Sequence, residues 1–208
     1  MPDLTAKGRS IVLASGNAGK LRELASMLEP LGWSVRPQKD WGVCEVAEDG
    51  LSFVENALIK ARHAARITGS PALGDDSGLV VDALNGAPGI YSSRYAGAGA
   101  DDAANNQKLL SALQGIPEPD RSAHFYCAMA FVRHAEDPAP LISTGKWTGV
   151  ILQHARGEGG FGYDPLFWIP AKECSSAELP SEVKNRLSHR GQALAELSRQ
   201  MKDEFRAD

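Results

Sequence analysis

Residues 11–28 read I-V-L-A-S-G-N-A-G-K-L-R-E-L-A-S-M-L, and this stretch decides the fold class. Ile11 to Ala14 is a short apolar run of the kind that forms a buried strand. Ser15 to Lys20 is a glycine-containing turn, and Leu21, Leu24, Ala25 and Leu28 then recur on one face of a helix, which Pro30 and Gly32 end. Outward from here, Trp33 to Val35 suggests a second strand, and residues 38–50 form a polar loop. A second helix starts at Ser52, with Val54, Ala57, Leu58, Ala61, Ala64 and Ala65 on its apolar face and a Ser52–Glu55 capping box. Ala72–Gly74 and Leu79–Val81 flank Asp75-Asp76-Ser77-Gly78, which predicts two short strands meeting at a turn. A glycine-rich loop over 85–100, a helix over 101–113 and two long strands, Ala123–Val132 and Leu141–Leu152, follow. The chain closes with a glycine-rich stretch at 157–162 and a helix from about Ser188 to Phe205. Helices and strands alternate early and strands cluster late, so the expectation is an α/β domain with a mixed sheet.

The 208 residues are enough for one sizeable core, and 43% hydrophobic with 23% charged residues is the balance of an ordinary globular protein. A net charge of -4 argues against a long nucleic acid as main partner. A small polyanion needs only a local cluster of cations, so nucleotides stay open. Cys44, Cys127 and Cys174 are odd in number and far apart, which speaks against a disulfide framework and for a reducing compartment. The first nine residues lack the apolar core of a secretory signal. No apolar run approaches the ~20 residues that span a bilayer. A cytoplasmic protein without a membrane partner is expected.

A strand, a turn with Gly and Lys, then a helix is a natural phosphate site, because the helix N-terminus presents N–H groups and a positive dipole end. The P-loop pattern fails: its first glycine position holds Ala14, and its metal-ligating Ser/Thr position holds Leu21. The competing interpretation makes Asn17 a plain helix cap and Lys20 a solvated lysine. Asp75 and Asp76 are adjacent on an extended chain and point to opposite faces. One carboxylate can hold Mg²⁺ or orient water while the other anchors the turn; a simple Asx-type turn is the alternative. Glu48 is a candidate second acid. Asn56 and Lys60 share a helix face at the border of the apolar stripe, where a lysine reaches into a cleft or snorkels to water. In Gly159-Gly160-Phe161-Gly162-Tyr163-Asp164-Pro165 an aromatic can stack on a base, worth about 1–3 kcal/mol in nucleic-acid complexes, or plug the core beneath the loop. Lys184, His189 and Arg190 cluster around the start of the last helix, for which Ser188 is a cap. Cations there oppose the helix dipole, a local conflict of the kind found at functional sites.

The order of six segments resembles the inosine/xanthosine triphosphate pyrophosphatase family. They are S-G-N-A-G-K-L-R-E-L at 15–24, F-V-E-N-A-L-I-K-A at 53–61, D-D-S-G-L at 75–79, G-A-P-G-I-Y-S-S-R-Y at 86–95, G-G-F-G-Y-D-P at 159–165 and S-H-R-G-Q-A at 188–193. The resemblance implies an elongated mixed β-sheet flanked by helices, with two lobes around a central nucleotide cleft. It implies a single bilobed domain over 10–208 behind an N-terminal tail at 1–9, and a homodimer. The implied reaction is Mg²⁺-dependent hydrolysis of ITP, dITP and XTP to the monophosphate and pyrophosphate. Carried over by position, Ser15, Gly16, Asn17, Ala18, Gly19, Lys20 and Lys60 bind the phosphates. Glu48 and Asp76 hold the metal, with Glu45 a nearby alternative to Glu48, and Asp76 is the catalytic residue. Ser77, Phe161, Gly162, Tyr163, Asp164, Lys184, His189 and Arg190 complete the nucleotide site.

A carboxylate bound to Mg²⁺ is a weak base, so Asp76 is expected to position water more than to remove its proton. Hypoxanthine and xanthine carry the acceptor O6, which suits donors such as Arg190 or His189; adenine's amino group would face those donors unpaired. A small kinase is disfavoured by Leu21, and a non-catalytic nucleotide sensor by the intact carboxylate pair.

Overall fold

The computed structural model describes residues 9–16, 18–29 and 32–205. Asn17, Pro30 and most of the tail at 1–9 lie outside the described residues. Seven strands form one sheet in the order β2-β1-β3-β4-β5-β6-β7. They are β1 (Arg9–Ala14), β2 (Trp33–Pro37), β3 (Ala72–Val81), β4 (Ser122–Val132), β5 (Leu141–Ile151), β6 (Phe167–Ile169) and β7 (Cys174–Ser175). The helices are α1 (Ala18–Leu28), α2 (Phe53–Thr68), α3 (Asp102–Ala112), α4 (Ser181–Leu187) and α5 (His189–Glu204). β1 runs parallel to β2 and to β3, whereas β6 runs antiparallel to β5 and β7. The sheet is therefore mixed, as expected.

The chain packs as two compact units: residues 1–76, 128–144 and 193–208, and residues 77–127 and 145–192. In the first unit Ile11 to Ala14 are all buried, which is why this parallel strand reads as an unbroken apolar run. α2 is capped by Ser52, whose hydroxyl accepts from Glu55 N at 3.3 Å and donates to the Glu55 carboxylate at 2.7 Å. It ends at Gly69 in the left-handed region, with φ 63°. Its buried side is small: Ala57, Ala61, Ala64 and Ala65. β3 meets that side with Gly74, where a Cβ would run into Ala57 O and come within 2.8 Å of Ala61 N. The missing side chain lets helix and strand come into backbone contact. Trp33, Phe131 and Phe205 form an edge-to-face trio with centroids 5.8–6.0 Å apart.

In the second unit Leu79, Val81, Leu109, Leu113, Phe125, Trp147, Ile151, Leu166 and Phe167 belong to one buried cluster. Asp101 caps α3 by accepting from Ala104 N at 2.8 Å. The Arg121 guanidinium is buried and donates to the carbonyls of Ile116, Leu113 and Leu152.

Two expectations need correction. The two short strands at 72–74 and 79–81 are one continuous ten-residue strand, β3. D-D-S-G is good turn chemistry only while its carboxylates serve their own backbone; here lysines take both, and the chain stays extended. The helix near the C-terminus is also preceded by α4, which seven residues without an apolar stripe did not announce. Lys184 lies on α4, not at the start of α5. Ser188 does cap α5, its hydroxyl accepting from Gly191 N at 3.1 Å.

Candidate active site

In the first unit, α2, β3 and the loop before α2 bring four side chains together. Asn56 and Lys60 lie one helical turn apart on α2, and both reach Asp76. Lys60 Nζ donates to Asp76 Oδ1 at 2.9 Å and to Glu48 Oε1 at 3.1 Å. Asn56 Nδ2 donates to Asp76 Oδ2 at 3.3 Å, while Asn56 Oδ1 accepts from Gly50 N at 3.0 Å. The fully buried Asn56 thus links the loop that carries Glu48 to the strand that carries Asp76. The neighbouring Asp75 points the other way, and its Oδ1 lies 2.7 Å from Lys20 Nζ. The two adjacent aspartates thus have different lysines in direct contact. Asp75 meets Lys20, a partner that its sequence neighbourhood does not announce.

The electrostatics follow from burial. Burial alone would lower the Lys60 ammonium, but Asp76, Asp75 and Glu48 outweigh it and raise its pKa above 10.5. Burial raises the Asp76 carboxyl above its ordinary value, and Lys60 pulls it only part of the way back. Burial therefore outweighs even the Lys60 ammonium at 2.9 Å in setting the direction of the Asp76 shift.

Lys20 sits in the first turn of α1, next to Gly19 and Ala18, and Ser15 and Gly16 precede that turn. A helix start of this kind favours anions. A Cβ on Gly16 would come within 2.5 Å of Glu45 Oε1, so Glu45 lies against the turn while Glu48 lies on Lys60. Among the described residues no three His, Cys, Asp or Glu side chains form a complete metal cage. Mg²⁺ needs only one or two carboxylates and takes its other ligands from water and phosphate. Asp76 and Glu48 already share one cation, the Lys60 ammonium, and an all-oxygen donor pair suits a hard divalent ion.

The second unit carries the other set. Phe161 is 37% exposed, with Lys184 Nζ 5.0 Å and the Arg190 guanidinium carbon 5.8 Å from its ring centroid. Arg190 Nη2 donates to Ser77 Oγ at 3.1 Å. His189 stacks on Phe125 at 4.9 Å, and both His189 and Arg190 are buried. Asp164 organises the loop: Oδ2 accepts from Phe161 N at 2.9 Å and from Lys184 at 2.5 Å, and Oδ1 accepts from Ser176 Oγ at 2.7 Å. Tyr163 takes the core-plugging alternative. It is buried, and its hydroxyl donates to Ser92 O at 2.8 Å. Gly162 bonds to α3 through Asp102 and Asn106.

Asn56, Asp75, Asp102 and Asn106 are not among the residues that the resemblance assigns to the site, although Asn56 and Asp75 stand out in the sequence. The four-residue spacing of Asn56 and Lys60 signalled the first of them. Contacts between residues 56 and 60 apart in sequence leave no local signal for the last two.

Residues 11–200 match the model of the Ham1 family, and the chain belongs to that family. It is 55% identical over 193 residues to a Vibrio parahaemolyticus protein named dITP/XTP pyrophosphatase, covering 93% of this chain and 96% of that one. A Thioalkalivibrio sulfidiphilus protein of the same name is 59% identical over 184 residues, covering 88% and 94%. The solved structure of a HAM1 protein from Coxiella burnetii superposes with a TM-score of 0.88 at 51% identity, over 94% of this chain and 99% of that one. A nucleoside-triphosphatase, or dITP/XTP pyrophosphatase, from Mycobacterium abscessus gives a TM-score of 0.74 at 44% identity, over 90% and 97%. Among the described residues no helix is long and apolar enough to cross a membrane.

Proposed function

We propose that this chain is an Mg²⁺-dependent pyrophosphohydrolase that converts ITP, dITP and XTP to the monophosphate and pyrophosphate, and so clears non-standard purine nucleotides. The observation that carries the reading is the Lys60 ammonium between Asp76 and Glu48, with Lys20 on Asp75 in the first turn of a helix. Family membership and the names of relatives above 50% identity support the same activity.

In this reading Ser15 to Lys20 and Lys60 receive the phosphates. Each ammonium has three N–H donors and can keep its carboxylate while it donates to phosphate oxygens, so charge that builds on the leaving pyrophosphate is offset. Asp76 and Glu48 hold Mg²⁺, which when bound polarises the phosphate oxygens. Asp76, oriented by Asn56, positions the water that attacks the α-phosphorus. The bond from that phosphorus to its bridging oxygen breaks, pyrophosphate leaves with the electron pair, and a proton of the attacking water passes to solvent. Phe161 stacks on the purine, with Lys184 and Arg190 beside its ring. Arg190 and His189 donate towards O6, and Ser77 and Asp164 hold Arg190 and Lys184 in place. Tyr163 serves beneath the loop.

Residues 10–208 would act as one functional domain and, by family resemblance, as a homodimer. Free thiols at Cys44, Cys127 and Cys174 suit a cytoplasmic setting. The test is pyrophosphate release with Mg²⁺ from ITP, dITP, XTP, ATP and GTP. Turnover of the first three well above the last two is expected, and equal turnover of all five would refute the specificity.

A further inference from the structure

Segment 86–95 is one of the six family-like motifs, yet none of its residues is a proposed ligand. Its second half is tied instead to α3 and to the loop that carries Phe161. Ser92 O accepts from Tyr163 Oη at 2.8 Å, and Ser92 Oγ accepts from Leu79 N at 2.9 Å and donates to Gly89 O at 2.6 Å. The buried Asn105 of α3 accepts from Ala96 N at 2.7 Å and donates to Ser93 O at 3.3 Å. Lys108, also on α3, donates to Tyr95 O at 2.6 Å. From the same helix, Asp102 Oδ2 accepts from Gly162 N at 2.6 Å, and Asn106 Nδ2 donates to Gly162 O at 2.9 Å.

Residues 92–96, α3 and the loop at 161–163 therefore form a closed circuit of hydrogen bonds. Asp102 and Asn106, four apart, lie on one helix face and grip the N–H and the C=O of a single loop residue. Gly162 has φ 63°, and a Cβ there would meet nothing within 4 Å. A glycine is needed for its backbone conformation and not for lack of space. The loop is thus fixed by Asp164 on the Phe161 amide and by α3 on Gly162, the next residue.

We propose that Asp102 and Asn106 are positioning residues for purine recognition, clamping the Gly162 backbone so that the Phe161 ring is in place before a nucleotide arrives, with residues 92–96 as the abutment of the clamp. This rests on the reading of Phe161 as the purine platform. The physical basis is preorganisation: a backbone already ordered need not be ordered by the ligand. The clamp acts on the base and leaves the phosphates to the other residues.

The experiment compares inhibition by inosine monophosphate, which carries the base, with inhibition by inorganic tripolyphosphate, which does not. The variants are Asn106→Ala, Asp102→Ala, Asp102→Asn and Phe161→Ala, each with its melting temperature. Asn106→Ala and Asp102→Ala are expected to raise the inhibition constant of the monophosphate about tenfold and to leave that of tripolyphosphate within about twofold, as loss of one or two loop hydrogen bonds implies. Asp102→Asn keeps an acceptor and is expected to stay near wild type. If Phe161→Ala weakens the monophosphate but the α3 variants do not, the clamp is refuted. Parallel weakening of both inhibitors would reduce the clamp to a general folding role and refutes it as well. If Phe161→Ala leaves the monophosphate unaffected, the purine reading fails and the clamp falls with it.

Discussion

Lys60 and Asp76 form a buried ion pair, Nζ to Oδ1 at 2.9 Å, in which the same ammonium also reaches Glu48. Asp76 is the carboxylate that proposed catalysis cannot lose, because it faces Asn56, Lys60 and the Glu48 loop together. Asp76→Asn keeps the shape and removes the charge. It is expected to lower kcat/KM by about 10²-fold or more and, because the Lys60 ammonium keeps Glu48 but loses Asp76 as a carboxylate contact, to lower the melting temperature as well. Steady-state kinetics on ITP with a thermal melt check both halves.

Gly74 sets how closely α2 approaches β3. A Cβ there meets the backbone at Ala57 and Ala61, which a helix cannot move out of the way as a side chain could. Gly74→Ala is expected to cost about 1–3 kcal/mol of stability by overpacking. It is also expected to lower kcat, because α2 carries Asn56 and Lys60. Urea unfolding and kcat on the same preparation test this link between packing and chemistry.

Asp75 is 1% exposed and its carboxylate meets Lys20. Lys20→Met takes that ammonium away and is expected to destabilise the fold by about 3 kcal/mol. Adding Asp75→Asn is expected to restore most of the stability, since a neutral amide costs less to bury. Substrate affinity is expected to stay low in both variants, because the phosphates lose Lys20 in each. A double-mutant cycle on stability, read beside KM for ITP, separates the two roles.

Asp137 contributes to the acid limb of stability. Burial would raise its carboxyl, but Arg133 and the N–H groups of Arg133 and Ala139 hold it down at about 2, from 3.8. The folded value lies below the unfolded one, so this stabilisation is complete well above 3.8 and is lost as pH falls towards 2. It amounts to about 2 kcal/mol. Asp137→Asn is expected to lose that margin at pH 7 and to flatten the loss of stability in acid. Unfolding free energies measured across the acid range check the sign.

Much of this was legible in the sequence because local chemistry carried it. The apolar run at Ile11, the Ser52 cap and the Asp75–Asp76 alternation each speak within a few residues. From sequence alone β3 reads as two strands because D-D-S-G has turn chemistry. What overrode it, Lys20 and Lys60 on the two carboxylates, lies 16 or more residues away. Asn56 was visible as a neighbour of Lys60, but its bond to Gly50 was not. The sequence leaves stacking and plugging open for Phe161 and Tyr163; Tyr163 is buried and Phe161 is partly exposed.

The central claim is hydrolysis at the α-phosphorus, and its most direct measurement is turnover of ITP with Mg²⁺ in heavy-oxygen water followed by mass spectrometry of the products. The heavy atom is expected in inosine monophosphate, with unlabelled pyrophosphate as the co-product. Label in pyrophosphate, or release of labelled orthophosphate as the first product, would place the attack at another phosphorus and contradict it.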